Sequence, residues 1–293
     1  MNIIMKRKIL ITGCNGFIAK SLIPQLAGFG YELYGLSKTK TKSPYLTSVY
    51  QADITQAFKL DVSFDVIIHL AALNRVHVNA QNDYISYFEA NVTGTKNVIE
   101  CCRFERFVLF STSSVYDRAV SCATEESPVK PISNYSISKL EAETVCKERI
   151  PDERLLIVRP INVSGENQEA IALLPVMFRQ ALSNQEINIF VPKNRLMQFL
   201  YVDDLTGILD KMIKNELSGL YNISSNESIS IEELSRSIVD MCASKSIIRI
   251  TNNETESSYI VSDKKLRDEI SWYNKVEIKE LLQLILRVAY LYS

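Results

Sequence analysis

Residues 8–29 constrain the fold of this chain more than any other stretch. Lys8-Ile-Leu-Ile-Thr12 is a short apolar run rich in β-formers; it breaks at Gly13-Cys-Asn-Gly16, and Phe17 to Phe29 then takes up a helical pattern. Strand, glycine turn and helix in that order predict an anion cradle. Gly13 and Gly16 lack a β-carbon, so the backbone can turn sharply and approach a pyrophosphate, while the first amides of the helix face its charge. Asn15, Phe17 and Ile18 fall within that cradle, and Ala19 takes its third small position.

The same alternation continues. Tyr31 to Leu36, Phe64 to Leu70, Phe107 to Ser111 and Leu155-Leu-Ile-Val158 read as buried strands, spaced widely enough for crossover helices; Tyr84 to Cys102 and Asn134 to Arg149 are helical candidates. Strands alternating with helices predict an α/β fold with a doubly wound parallel (Rossmann) sheet. Past Gly165 the alternation weakens. Ala170 to Leu182 looks helical, Ile187 to Val191 extended, Val202 to Lys214 helical and Leu220 to Ile223 extended, and Ser230 with Glu233 forms a capping box that opens a helix to Met241. The expected organisation is a dinucleotide-binding domain over 1–165, to which 192–225 returns, and a smaller mixed substrate-binding lobe from 166–191 and 226–293.

Composition excludes several classes of function. The net charge is -1 and there is no strongly basic stretch, so nucleic acid is not an expected partner. Six cysteines contain no C-x-x-C pair, and there are two histidines; reduced thiols and no metal site are expected. The first residues set Lys6, Arg7 and Lys8 beside a strand rather than before a signal-type apolar segment. Leu281 to Leu291 is apolar but short and carries Arg287, which suits a core helix and not a bilayer span. A cytoplasmic location without a membrane partner is the expectation.

The chemistry is carried by Tyr135-Ser-Ile-Ser-Lys139. On a helix the phenol and the ammonium share one face, and a nearby cation favours the phenolate, pulling it down toward working pH. A hydroxyl from the preceding strand end, Thr112 or Ser113, would bind the same substrate oxygen. Together with the glycine turn this suggests nicotinamide chemistry. The second strand ends Gly35-Leu-Ser-Lys38, with Lys40 and Lys42 beyond and no carboxylate for ribose hydroxyls. Ser37 and Lys38 therefore point to NADP rather than NAD, while Asp53-Ile54 would hold the adenine. His69 reads as a satisfied core histidine, and Asp203 and Asp204 as helix-capping residues rather than metal ligands.

From Lys8 to roughly Ile223, and more loosely to Trp272, the chain resembles the extended short-chain dehydrogenase/reductases of the nucleotide-sugar epimerase/dehydratase group. The motifs that carry the resemblance are Thr12-Gly-Cys-Asn-Gly-Phe-Ile-Ala19, Asp53-Ile54, His69-Leu-Ala-Ala72, Asn91-Val-Thr-Gly-Thr-Lys-Asn-Val98, Ser111-Thr-Ser-Ser-Val-Tyr116, Tyr135-Ser-Ile-Ser-Lys139, Arg159-Pro-Ile-Asn-Val163 and Tyr201-Val-Asp-Asp204. The resemblance implies Tyr135 as general acid/base, Lys139 on the nicotinamide ribose, and Thr112, rather than Ser113, on the reacting oxygen. It implies that Leu70, Ala71, Ala72 and Asn91 belong to the cofactor site, that Pro160 and Val163 face the nicotinamide, and that Asn162 lies near the substrate diphosphate.

Departures from the family pattern fall where the sugar is held. Asp117 replaces a glycine, Val163-Ser-Gly-Glu166 replaces Val-Tyr-Gly-Pro, and Met197 replaces an arginine whose charge Arg195 would supply instead. The implied partner is a nucleoside-diphosphate sugar, and the implied assembly a homodimer through the Tyr84 and Asn134 helices. The basic loop after the second strand favours a 4-ketoreductase over a 4-epimerase. Ser113 and Ser114 stand where dehydratases carry an acidic pair, so elimination is disfavoured. A dinucleotide-sensing regulator without catalysis is the reading of another class, against which the intact Thr112, Tyr135 and Lys139 argue.

Overall fold

The computed structural model describes residues 6–74, 84–166, 168, 172–251 and 260–291. Seven strands form the main sheet: β1 (Lys8–Thr12), β2 (Glu32–Ser37), β3 (Ser48–Gln51), β4 (Ser63–His69), β5 (Arg103–Phe110), β6 (Leu155–Pro160) and β7 (Gly219–Ile223). Their order is β7-β6-β5-β4-β1-β2-β3, and every pairing is parallel. The near-continuous apolar runs follow from this topology, because a parallel sheet is covered on both faces. Ile9, Ile11, Val66, Ile68, Val108 and Val158 pack on one side and Leu10, Ile67, Phe107, Leu109 and Ile157 on the other.

The helices are α1 (Phe17–Gly28), α2 (Tyr84–Phe88), α3 (Gly94–Cys101), α4 (Asn134–Arg149), α5 (Leu173–Leu182), α6 (Val202–Lys214), α7 (Ile231–Met241), α8 (Lys264–Ile270) and α9 (Ile278–Leu291). Pro24 lies inside α1 and removes one backbone donor; burial of Leu22, Ile23 and Leu26 carries the helix through it. The single helix expected over Tyr84 to Cys102 is interrupted. Residues Glu89–Thr93 form a π turn between α2 and α3, a local widening that periodicity does not reveal.

Leu174, Met177 and Phe178 of α5, Leu234 and Ile238 of α7, and Leu281, Leu282 and Ile285 of α9 form a second core with Ile187 and Phe199. Leu281 to Leu291 is thus the core helix that its composition predicts. Val261, Leu266, Ile270 and Trp272 pack instead on the sheet's own core. Among the described residues no helix is long and apolar enough to cross a membrane.

Register decides where the site lies. Thr12 pairs with His69, His69 with Leu109, and Phe110 with Val158, so β1, β4, β5 and β6 finish along one edge. Strand order reverses between β1 and β4, and such a switch point opens a crevice at the carboxyl ends of the strands.

Candidate active site

That crevice is a cavity of about 930 Å3, at the large end of ordinary small-molecule sites. Gly13, Asn15, Gly16, Phe17 and Ile18 line one end with Ser37, Lys38, Asp53 and Ile54; Leu70, Ala71 and Ala72 form the middle. Thr112, Ser113, Tyr135, Lys139, Pro160, Asn162 and Val163 line the rest.

The glycine end fits a dinucleotide. Gly13 has φ +66°, and a Cβ there would sit 2.9 Å from both Cα and N of Ala71; only glycine permits this conformation and approach together. A Cβ on Gly16 would stand 3.2 Å from the Gly13 carbonyl oxygen. Gly16 is the N-cap of α1 and provides no side-chain cap, so the first amides of the helix are turned to the cavity as an anion site requires.

At the adenosine end, Lys38 and Asp53 form a 2.8 Å ion pair. Lys38 holds the Asp53 carboxyl below its ordinary range, and Asp53 also accepts from Thr55 N and Oγ1. The Lys38 ammonium is therefore already matched to a carboxylate that the sequence places 15 positions away. One of the three lysines on which the NADP expectation rests is thus paired.

Tyr135 and Lys139 lie at the opposite end, on the first turns of α4. Ser133 caps that helix in a reciprocal box with Ser136, and the Ser138 hydroxyl donates to the Tyr135 carbonyl at 2.8 Å. Thr112 leaves the end of β5 as the cap of a short 3₁₀ turn, its Oγ1 accepting from Ser114 N at 3.2 Å. Its hydroxyl acts on the Tyr135 phenol in the sense that favours the phenolate. Thr112, Tyr135 and Lys139 are thus brought together across 27 positions of sequence.

The electrostatics differ from the expectation of a phenol lowered by its lysine. Burial pushes the Tyr135 phenol up to about 12, with Thr112 opposing. Burial also drives the Lys139 ammonium down to about 8. Desolvation acts on both groups and outweighs the attraction that helical spacing suggests.

Two expected site residues are placed elsewhere. Asn91 lies on the π turn, buried behind the cavity wall, where its amide bonds Leu73 N and O at 2.7 and 2.9 Å and Ser138 Oγ at 2.9 Å. It holds the loop after β4 against α4 and lines no part of the cavity. Arg195 is not on the cavity lining either; it sits in the turn before Leu196–Met197, where its backbone bonds Pro192 O and Ile231 N. Asp203 and Asp204 do not cap α6. Asp204 accepts from Lys275 N and Val276 N at 3.1 Å each, and Asp203 from Gln25 Nε2 at 2.6 Å.

The cavity also includes residues that sequence reasoning passed over, among them Ser111, Ser114 and Gln168. The first two belong to the hydroxyl run around Thr112 and were within reach of that signal. Gln168, whose Nε2 donates to Val163 O at 3.1 Å, follows a departure from the motif and carries no pattern of its own. Asp53 is the one carboxylate among the described residues that line the cavity.

A crevice at the β1/β4 divide, glycine-cradled at one end and holding a tyrosine–lysine turn at the other, marks an extended short-chain dehydrogenase/reductase. Residues 9–224 match the NAD dependent epimerase/dehydratase family, and the chain belongs to it. A dTDP-D-glucose 4,6-dehydratase of Dictyostelium discoideum is 26% identical over 274 residues, covering 80% of this chain and 62% of that protein; the chain spans somewhat under two thirds of that relative's length. An uncharacterized UDP-glucose epimerase of Bacillus subtilis, YtcB, is 26% identical over 275 residues, covering 84% and 85%. The fold is shared with a UDP-glucuronic acid 4-epimerase from Bacillus cereus solved with UDP-glucuronic acid and NAD, at TM-score 0.85 and 21% identity over 98% of this chain and 100% of that one.

Proposed function

We propose that this chain is a nucleotide-sugar 4-epimerase that binds NAD. The observation that carries the reading is that Thr112, Tyr135 and buried Lys139 line one cavity with the glycine cradle. A nicotinamide dinucleotide, when bound, supplies the hydride acceptor and donor.

The protein's own residues supply the rest. Gly13, Asn15, Gly16, Phe17 and Ile18 hold the pyrophosphate, Asp53 and Ile54 the adenine end, Leu70 to Ala72 the groove between, and Pro160 and Val163 the inner wall. Tyr135 takes the proton from a sugar hydroxyl and returns it, Thr112 holds the reacting oxygen, and Lys139 bonds the ribose and stabilises the phenolate. Ser113 and Asn162 face the sugar and its diphosphate, with Gln168 and Ala172 on the same lining. Pairing of the two protomers through α2, α3 and α4 is supported by Ile85 and Phe88, apolar and exposed on α2.

Two observations favour epimerisation within the family. The Lys38–Asp53 pair weakens the case for a 2′-phosphate, and with it the case for NADPH consumed in each turnover. A dehydratase needs an acid near Thr112, whereas Ser113 and Ser114 are there and the lining carboxylate is at the adenosine end. A 4-ketoreductase is the second reading, kept by the serine and lysines after β2. Purified protein with UDP-glucose or UDP-glucuronic acid and NAD should yield the 4-epimer by NMR. Oxidation of NADPH with a nucleotide-linked 4-keto sugar, and no epimer, would establish the reductase instead.

A further inference from the structure

His69 is one of two histidines in the chain and takes no part in the chemistry proposed above, yet both its ring nitrogens are engaged in the interior. Nδ1 lies 2.8 Å from Thr12 Oγ1 and Nε2 lies 2.9 Å from Thr95 Oγ1. The directions of these bonds follow from their neighbours. Thr95 donates its one hydroxyl hydrogen to the Asn91 carbonyl at 2.6 Å, so toward His69 it can only accept, and Nε2 carries the proton. In a neutral ring Nδ1 is then bare, so Thr12 donates to it. The Thr12 oxygen accepts in turn from Ala71 N at 3.1 Å, which completes a chain with every donor and acceptor matched.

The two ends of this chain fall at the two halves of the site. Thr12 precedes Gly13, and Ala71 is the residue on which Gly13 is packed, so one end fixes the floor of the glycine cradle. The other end is the π turn, from which Asn91 bonds Ser138, and Ser138 bonds the Tyr135 carbonyl. A rigid five-membered ring spans the distance between them. We propose that His69, held as the Nε2–H tautomer, is a positioning residue that ties the dinucleotide cradle to the catalytic helix.

Each half of the ring can be replaced separately. His69→Asn retains an acceptor near Nδ1 for Thr12 and loses the donor to Thr95, whereas His69→Gln retains a donor near Nε2 and loses the acceptor. Amide hydrogen exchange by mass spectrometry should show lost protection at the start of α4 in His69→Asn and around residues 12–17 in His69→Gln. Affinity for NAD should fall about tenfold in His69→Gln, as loss of one buried hydrogen bond implies, and stay within about threefold in His69→Asn by the same scale. In the unsubstituted protein, 15N NMR at pH 7 should show protonated Nε2 and bare Nδ1. An Nδ1–H tautomer, or the same exchange and affinity pattern in both variants, would overturn the proposal. The NAD arm rests on the dinucleotide reading above; the exchange and tautomer arms need neither NAD nor turnover, so the two readings fail separately.

Discussion

Arg159 on β6 and Glu143 on α4 close a two-point ion pair inside the protein, Nε to Oε1 at 2.9 Å and Nη2 to Oε2 at 2.6 Å, with both side chains at most 3% exposed. Ser111 also donates to Glu143, and the guanidinium stands 4.7 Å over the Tyr116 ring. The pair fastens α4, one turn beyond Lys139, to the strand that ends at Pro160. Glu143→Gln would leave the Arg159 charge buried without its counter-ion, a change that costs roughly 3–5 kcal/mol. Urea denaturation at pH 7 measures this.

Tyr135→Phe removes the hydroxyl that shares the cavity wall with Thr112 while leaving the ring in place. Turnover of the sugar should fall ~100-fold or more, the usual contribution of a general acid/base, with NAD affinity unchanged. A loss of only a few-fold in steady-state rate would move the proton-transfer role to another group.

Asp53→Asn releases Lys38 from its 2.8 Å ion pair and leaves an uncompensated cation beside Ser37. The ratio of NAD to NADP affinity, read by fluorescence titration at low ionic strength, should shift toward NADP by a few-fold, the modest effect of an exposed charge. An unchanged ratio would show that the pair lies out of reach of the adenosine ribose.

Gly13→Ala and Gly30→Ala both place alanine at positive φ, +66° and +94°. Only at Gly13 does the new Cβ collide with backbone, since nothing lies within 4 Å of the one at Gly30. Both variants should lose stability by at least ~1 kcal/mol from the strained backbone, but only Gly13→Ala should weaken NAD binding, by tenfold or more on the scale of ~1.4 kcal/mol per decade. Calorimetric titration beside thermal melting separates the two effects.

Burial, reinforced by the field of Lys139, brings the His69 imidazole down to about 3. The unfolded chain takes up a proton there below its ordinary value near 6.5, while the folded chain stays neutral until about pH 3. The stability from this group is therefore complete above pH 6.5 and is lost as pH falls toward 3. Between pH 7 and 5 the loss amounts to roughly 2 kcal/mol. His69→Gln, which cannot titrate, should show a correspondingly flatter stability profile over that interval in denaturant melts.

Six of the seven sheet strands were legible because each carries a short apolar run, whereas β3 has no buried residue to mark it; that Tyr135, Lys139 and Thr112 share one cavity was legible because they sit in motifs with fixed spacing. The π turn at Glu89–Thr93 was not, since it keeps a helical composition while shifting the hydrogen-bond pattern by one residue. Asn91 was read as touching the cofactor because it opens a recognisable motif; its place behind the cavity wall depends on Leu73 and Ser138, which come from other elements. Arg195 stands two positions before the missing arginine, and it is not among the residues that line the cavity.

The amino-acid order by itself determined the alternation of strand and helix, the glycine turn, and which side chains could do chemistry, because backbone preference and periodic burial are local properties. Only the tertiary structure decided how those side chains are charged and partnered: Lys38 meets Asp53, His69 bridges Thr12 and Thr95, and burial drives Tyr135 and Lys139 in opposite directions. Desolvation and Coulomb interaction depend on distance through space, and the chain brings those groups together only when β1, β4, β5 and α4 meet.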